Sequence, residues 1–158
     1  MNANHLIVVG VDGSDGGRRA LEWAVREAAG SGCAVQAVTA WSWVAIEYGP
    51  SPDEERNRAT ALLDREIAAV MTAVGGHHTI AAEVLEGRPA DVLTAAAQAA
   101  DLLVLGSHGH GRVRHTMLGS VSESCVRKAP CPVVVIPAPA GRSAPATPPV
   151  PRQTAAPA

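Results

Sequence analysis

Apolar positions along the chain fall into short unbroken runs, separated by longer stretches in which they recur at helical spacing. His5–Val11 carries the run Leu-Ile-Val-Val-Gly-Val, which has no polar alternation and reads as a strand buried on both faces. Asp12-Gly13-Ser14 then gives a turn signal. Gly17–Ala29 places Leu21, Ala24, Val25 and Ala28 on one side of a predicted helix, which Gly30-Ser31-Gly32 ends. Cys33–Trp41 reads as a second strand, followed by a loop rich in Trp, Gly and Pro up to Pro52. Asp53–Val74 is the longest helical pattern, with Leu63, Ile67, Val70, Met71 and Val74 along one face and Gly75-Gly76 at its end. Thr79–Glu86 alternates as a third strand, and Gly87-Arg88-Pro89 leads into a third helix carrying Leu93, Ala96, Ala97 and Ala100. Asp101–Gly106 is a buried fourth strand, a Gly- and His-rich loop runs to about Leu118, a short fourth helix covers Gly119–Lys128, and Pro132–Ile136 is the fifth strand.

Strands alternating with helices predict an open, parallel, Rossmann-like α/β sheet with helices on both faces and right-handed crossovers. No internal repeat is visible. From Pro137 onward the chain turns Pro- and Ala-rich without any apolar period. Such a segment cannot bury enough surface to offset its ordering entropy. The expected organisation is a domain over residues 1–137 and a disordered tail over 138–158.

Composition refines this. The 158 residues suit one domain, and with 3% aromatic residues and no Phe the core must be built from Val, Leu, Ile and Ala. A formal net charge of −2, with no block of Lys and Arg, argues against a nucleic-acid partner. Cys33, Cys125 and Cys131 form an odd, sparse set and no disulfide framework. The early run Leu6–Val9 is too short for a secretory leader and no stretch approaches membrane-spanning length. These features lead us to expect a cytoplasmic protein without a membrane partner.

Ligands of open parallel sheets bind beyond the carboxyl ends of the strands. Two loops there carry chemistry. Asp12-Gly13-Ser14 follows strand 1, and Gly106-Ser107-His108-Gly109-His110-Gly111-Arg112 follows strand 4 and continues to Gly119-Ser120-Val121-Ser122. Glycines let backbone N–H groups close on an anion, and Gly119-Ser120 opens a helix whose first N–H groups are unpaired. The hydroxyls of Ser120 and Ser122 are further candidate donors, and His108, His110, Arg112 and Arg114 can neutralise charge. A surface loop leading into a Ser-capped helix is the simpler alternative. The pattern is neither a P-loop, which needs GxxxxGK followed by Ser or Thr, nor the GxGxxG of dinucleotide folds. His108, His110 and His115 give a poor metal signal, and a catalytic Cys125 or Cys131 would need a base and a lowered pKa. No residue stands out for positioning an attacking water.

The spacing of Gly106, Gly109 and Gly119-Ser120, with two and then nine residues between, resembles the ATP-binding signature of the universal stress protein family. The resemblance covers about residues 5–137, through VDGS at 11–14, EGRPADVL at 86–93, ADLLVLGSHGHG at 100–111 and LGSVSESCVRKAPCPVVVI at 118–136. It implies a five-stranded parallel sheet of order 3-2-1-4-5. It also implies ATP, with Mg2+, held by the strand 1 and strand 4 loops. Asp12 matches the ribose-binding acid, and Ala40 the position whose backbone meets adenine. Gly106, Gly109, Gly119, Ser120, Val121 and Ser122 match the phosphate-binding positions. The family offers no role for the Pro/Ala tail. The expected function is regulation through bound ATP rather than catalysis. A slow ATP hydrolase, or a binder of AMP or cyclic AMP, is the alternative. In the implied order strand 5 is a sheet edge. Val133, Val134, Val135 and Ile136 leave it β-branched and uncharged, so we expect a homodimer through this strand.

Overall fold

A computed structural model describes residues 5–110 and 117–139. The alternation read from the sequence is realised as β1 (Leu6–Gly10), α1 (Asp15–Ser31), β2 (Ala34–Trp41), α2 (Pro52–Val74), β3 (Ile80–Glu86), α3 (Pro89–Ala96), β4 (Leu102–Gly106), α4 (Ser120–Lys128) and β5 (Val133–Ile136). The five strands form one sheet of order β3-β2-β1-β4-β5, and every neighbouring pair is parallel.

Most differences from the expected elements lie at helix ends and have local causes. Helix α1 starts earlier than expected because the Ser14 hydroxyl accepts from the Gly17 N–H, 3.1 Å away. It also runs through Gly30 and closes at Gly32, whose left-handed φ of 74° lets its N–H reach the Ala28 carbonyl. Helix α2 begins with Pro52 behind a reciprocal cap between Ser51 and Glu54. Helix α3 is only eight residues long and tightens into a 3-10 turn at Ala97–Ala99 before β4.

Side chains alternate across the strands and build two apolar layers. Ile7, Val9 and Val11 of the first strand region, Val35 and Ala37 of β2, and Val104 of β4 pack beneath α1 and α2 with Leu21, Val25, Leu63 and Val70. Val8, Val38, Leu103 and Leu105 face the other way, against Val92, Leu93 and Cys125 of α3 and α4. The apolar stripe expected on α2 is interrupted by Glu66, which is fully buried. Its carboxylate receives two hydrogen bonds from the Arg18 guanidinium, at 2.8 and 2.9 Å, tying α2 to α1. Where the start of α1 crosses the end of β4, two backbones nearly touch. A Cβ on Gly106 would lie 2.5 Å from the carbonyl carbon of Gly16. This close approach brings the turn after β1 against the loop after β4.

Among the described residues, no helix is long and apolar enough to cross a membrane. The expected tail falls outside the described residues from position 140 on. Its first residue, Ala138, is tied to the domain by a 3.2 Å bond from its N–H to the Ser107 hydroxyl.

Candidate functional site

At the carboxyl ends of β1, β2 and β4 a cavity of about 600 Å³ opens between the two loops, a volume within the range of small-molecule sites. Its floor is apolar, formed by Val38, Leu93 and Leu105 with Pro89. All eight sequence candidates line it: Asp12, Ala40, Gly106, Gly109, Gly119, Ser120, Val121 and Ser122.

The polar end is the start of α4. Gly119 is its N-cap and offers no side-chain cap. The Gly119 N–H bonds the Ser107 carbonyl at 2.7 Å, and the first intrahelical bond runs from the Glu123 N–H to the Gly119 carbonyl. Among the described residues the N–H groups of Ser120, Val121 and Ser122 are therefore the unpaired donors of this helix, and all three residues line the cavity. The N-terminus of α1, by contrast, is closed by Ser14, and that of α2 by Ser51. Ser122 does not contribute as its hydroxyl suggested. That group is buried and turned to the Ser107 and Gly119 carbonyls, 2.9 and 3.0 Å away. What the start of a helix leaves for a ligand at this position is the backbone N–H.

Asp12 lines the same cavity from the turn after β1. Its Oδ1 accepts from the Ser14 N–H at 3.0 Å and from the Ser14 hydroxyl. Its Oδ2 has no hydrogen bond among the described residues. A Cβ added to Gly109 would lie 2.7 Å from that Oδ2, so the glycine makes room for the carboxylate. Gly106 lines the cavity too, but its missing side chain serves the contact with Gly16. Ala40 continues β2 past the end of β1. The Val38 carbonyl accepts the last bond of that ladder, from the Val11 N–H at 2.9 Å. By the two-residue alternation of a strand, Ala40 turns its N–H and C=O the same way, beyond β1.

His108 and His110 both line the cavity. His110 Nε2 lies 2.6 Å from the Asp12 carbonyl, so this nitrogen carries a proton and bridges the two loops. His108 Nδ1 is 2.9 Å from the Ser107 hydroxyl. Arg112, Arg114 and His115 lie outside the described residues. Among the described residues no group of three His, Cys, Asp or Glu side chains converges as a metal site. Burial pushes the Cys125 thiol up to about 11 and raises that of Cys131, which leaves neither a ready nucleophile at neutral pH. Sequence reasoning missed Ser107. Its signal was a small polar residue at the end of a buried strand, just before the glycine turn.

A family model described as "Universal stress protein family" matches residues 4–137. The chain belongs to the universal stress protein family. Among the family's curated members, a universal stress protein of Thermus aquaticus is 35% identical over 132 residues, covering 82% of this chain and 96% of that protein. A Mycobacterium tuberculosis universal stress protein is 34% identical over 150 residues, but this chain spans only 47% of its length. Two solved universal stress proteins are similar in fold. One, a complex with cAMP, has a TM-score of 0.67 and 28% identity, with 85% of this chain and 98% of that chain covered. The other, from Archaeoglobus fulgidus in complex with dAMP, has a TM-score of 0.59 and 26% identity, with coverages of 83% and 96%.

Proposed function

We propose that this universal stress protein binds ATP in the cavity at the carboxyl end of the sheet, and that the bound nucleotide sets its conformation or its binding of a partner. The observation that carries the reading is the start of α4 at that cavity, which has no side-chain cap and three successive non-proline N–H groups. The free N–H groups of Ser120, Val121 and Ser122 would take the phosphates. The apolar floor of Val38 and Leu93 suits a purine, and the Ala40 backbone beyond β1 can pair with its edge. The free Oδ2 of Asp12 would accept from the ribose hydroxyls. Mg2+ fits only as a cation held mainly by phosphate oxygens and water, because the protein gathers no dedicated ligand set among the described residues. A cytoplasmic location belongs to the same proposal.

A second reading, AMP or cyclic AMP as ligand, is favoured by the relatives solved with cAMP and dAMP. Calorimetric titration with ATP, ADP, AMP and cyclic AMP separates the two. The ATP reading expects affinity to rise with phosphate number. Tighter binding of AMP or cyclic AMP would favour the second, and binding of none would remove both.

Assembly is part of the proposal. β5 is an edge strand, and its four residues Val133, Val134, Val135 and Ile136 are all half-buried in the single chain. A second copy running antiparallel about a two-fold axis would cover them. The mycobacterial relative, of which this chain spans about half, has room for a second unit of this size.

A further inference from the structure

Ser107 joins four parts of the molecule. Its N–H bonds the Ile136 carbonyl at the end of β5, at 2.8 Å. Its carbonyl holds the start of α4, accepting from the Gly119 N–H at 2.7 Å and from the Ser122 hydroxyl at 2.9 Å. Its own hydroxyl lies 2.9 Å from Nδ1 of His108, a cavity-lining side chain. The same hydroxyl accepts the Ala138 N–H at 3.2 Å. The chain leaving β5 has one more anchor, because the Arg19 guanidinium donates to the Pro137 carbonyl. The exit of β5 therefore has a docked arrangement, and one of its two partners, Ser107, also supports the α4 N-terminus and His108.

We propose that Ser107 is a positioning residue that couples occupancy of the cavity's phosphate end to docking of the β5 exit at Pro137 and Ala138. This rests on the nucleotide reading above. A ligand held by the α4 N–H groups and met by His108 orders the 107–110 loop. The same order holds the Ser107 hydroxyl under the Ala138 N–H. By linkage, docking of the exit favours the ligand by the same factor.

The test is a double-mutant cycle between Ser107→Ala, which removes the hydroxyl, and Ala138→Pro, which replaces the N–H by a ring carbon. Residue 138 already stands between two prolines, so extended backbone suits both variants. Calorimetry with ATP should show each variant weakened about fivefold, the low end of measured couplings. The double variant should be no weaker than Ser107→Ala alone. Amide exchange should show ATP slowing exchange at Ala138 in the unmutated chain and not in Ser107→Ala. Multiplying effects, or no change at Ala138 when ATP binds, would overturn the coupling while leaving the nucleotide reading intact. Failure of the unmutated chain to bind ATP would overturn both.

Discussion

Gly109 faces the carboxylate of Asp12, and a single methyl group there tests how the cavity handles a sugar. In Gly109→Ala the new Cβ would lie 2.7 Å from Asp12 Oδ2, far inside contact distance, so one of the two must move. The carboxylate is the movable partner, but its other oxygen is held by the Ser14 N–H at 3.0 Å and by the Ser14 hydroxyl. Rotating it away gives up the free Oδ2 and loosens the group that caps α1. Hydrogen bonds to a charged acceptor contribute about 1.5–3 kcal/mol, so ATP affinity should fall about tenfold to 150-fold. The strain on the cap should cost about 1 kcal/mol, lowering Tm by roughly 2–4 °C for a chain of this size. The assay is calorimetry with ATP and with 2′,3′-dideoxy-ATP. The unmutated chain should prefer ATP, and Gly109→Ala should bind both equally weakly. Full-strength ATP binding by the variant, or no preference in the unmutated chain, would refute the assignment of Asp12 to the ribose.

Other substitutions separate the scaffold from the site. Gly106→Ala would push its Cβ against Gly16 backbone atoms at 2.5–2.8 Å. Such overpacking costs about 1–3 kcal/mol, so a thermal melt should show a clear drop; an unchanged Tm would show that the crossing can relax. Glu66→Gln should destabilise at pH 7 by about 1.5–3 kcal/mol, below the range for a fully buried pair, because the Arg18 side chain is 44% exposed. The Arg18 hydrogen bonds hold the Glu66 carboxyl below the usual carboxylate range, against the opposing effect of burial. The pair's contribution is therefore complete above the unfolded-state pKa of about 4.3 and is lost as pH falls through the lower folded value. Urea denaturation of the two proteins should differ at neutral pH and converge in acid; a gap that persists in acid would contradict the pairing. Val135→Lys should convert a dimer at tens of micromolar to monomer by light scattering, and a monomeric unmutated chain would refute β5 as the interface.

Much of this architecture is written in local patterns. The short continuous runs at Leu6–Gly10 and Leu102–Gly106, bounded by turn signals, read as strands buried on both faces, and they lie inside the sheet. The candidate site was legible through the glycine spacing that resembles the family signature and the helix start marked by Gly119-Ser120, although Gly109 serves to leave room for the Asp12 carboxylate. What stayed hidden depends on contacts between distant segments. Glu66 interrupts the apolar face of α2, yet it is buried because Arg18 reaches it from 48 positions away. The close approach of Gly106 to Gly16 gives that glycine a packing role which its place in the motif does not reveal. The inward turn of the Ser122 hydroxyl, and the joining of Ser107 to Ala138, depend likewise on which elements meet. Helix ends slipped by a few residues where a cap decided them, at Ser14 and Gly32 of α1.

The central claim is that an adenine nucleotide lies with its phosphates on the α4 N-terminus and its base against the end of β2. Backbone amide NMR during an ATP titration tests it directly. The account predicts saturable shifts concentrated at Ser120, Val121 and Ser122, with Gly109 and Ala40 moving in step, and little change along the outer edge of β3. Shifts confined to other surfaces, or a spectrum unmoved by ATP at millimolar concentration, would contradict it.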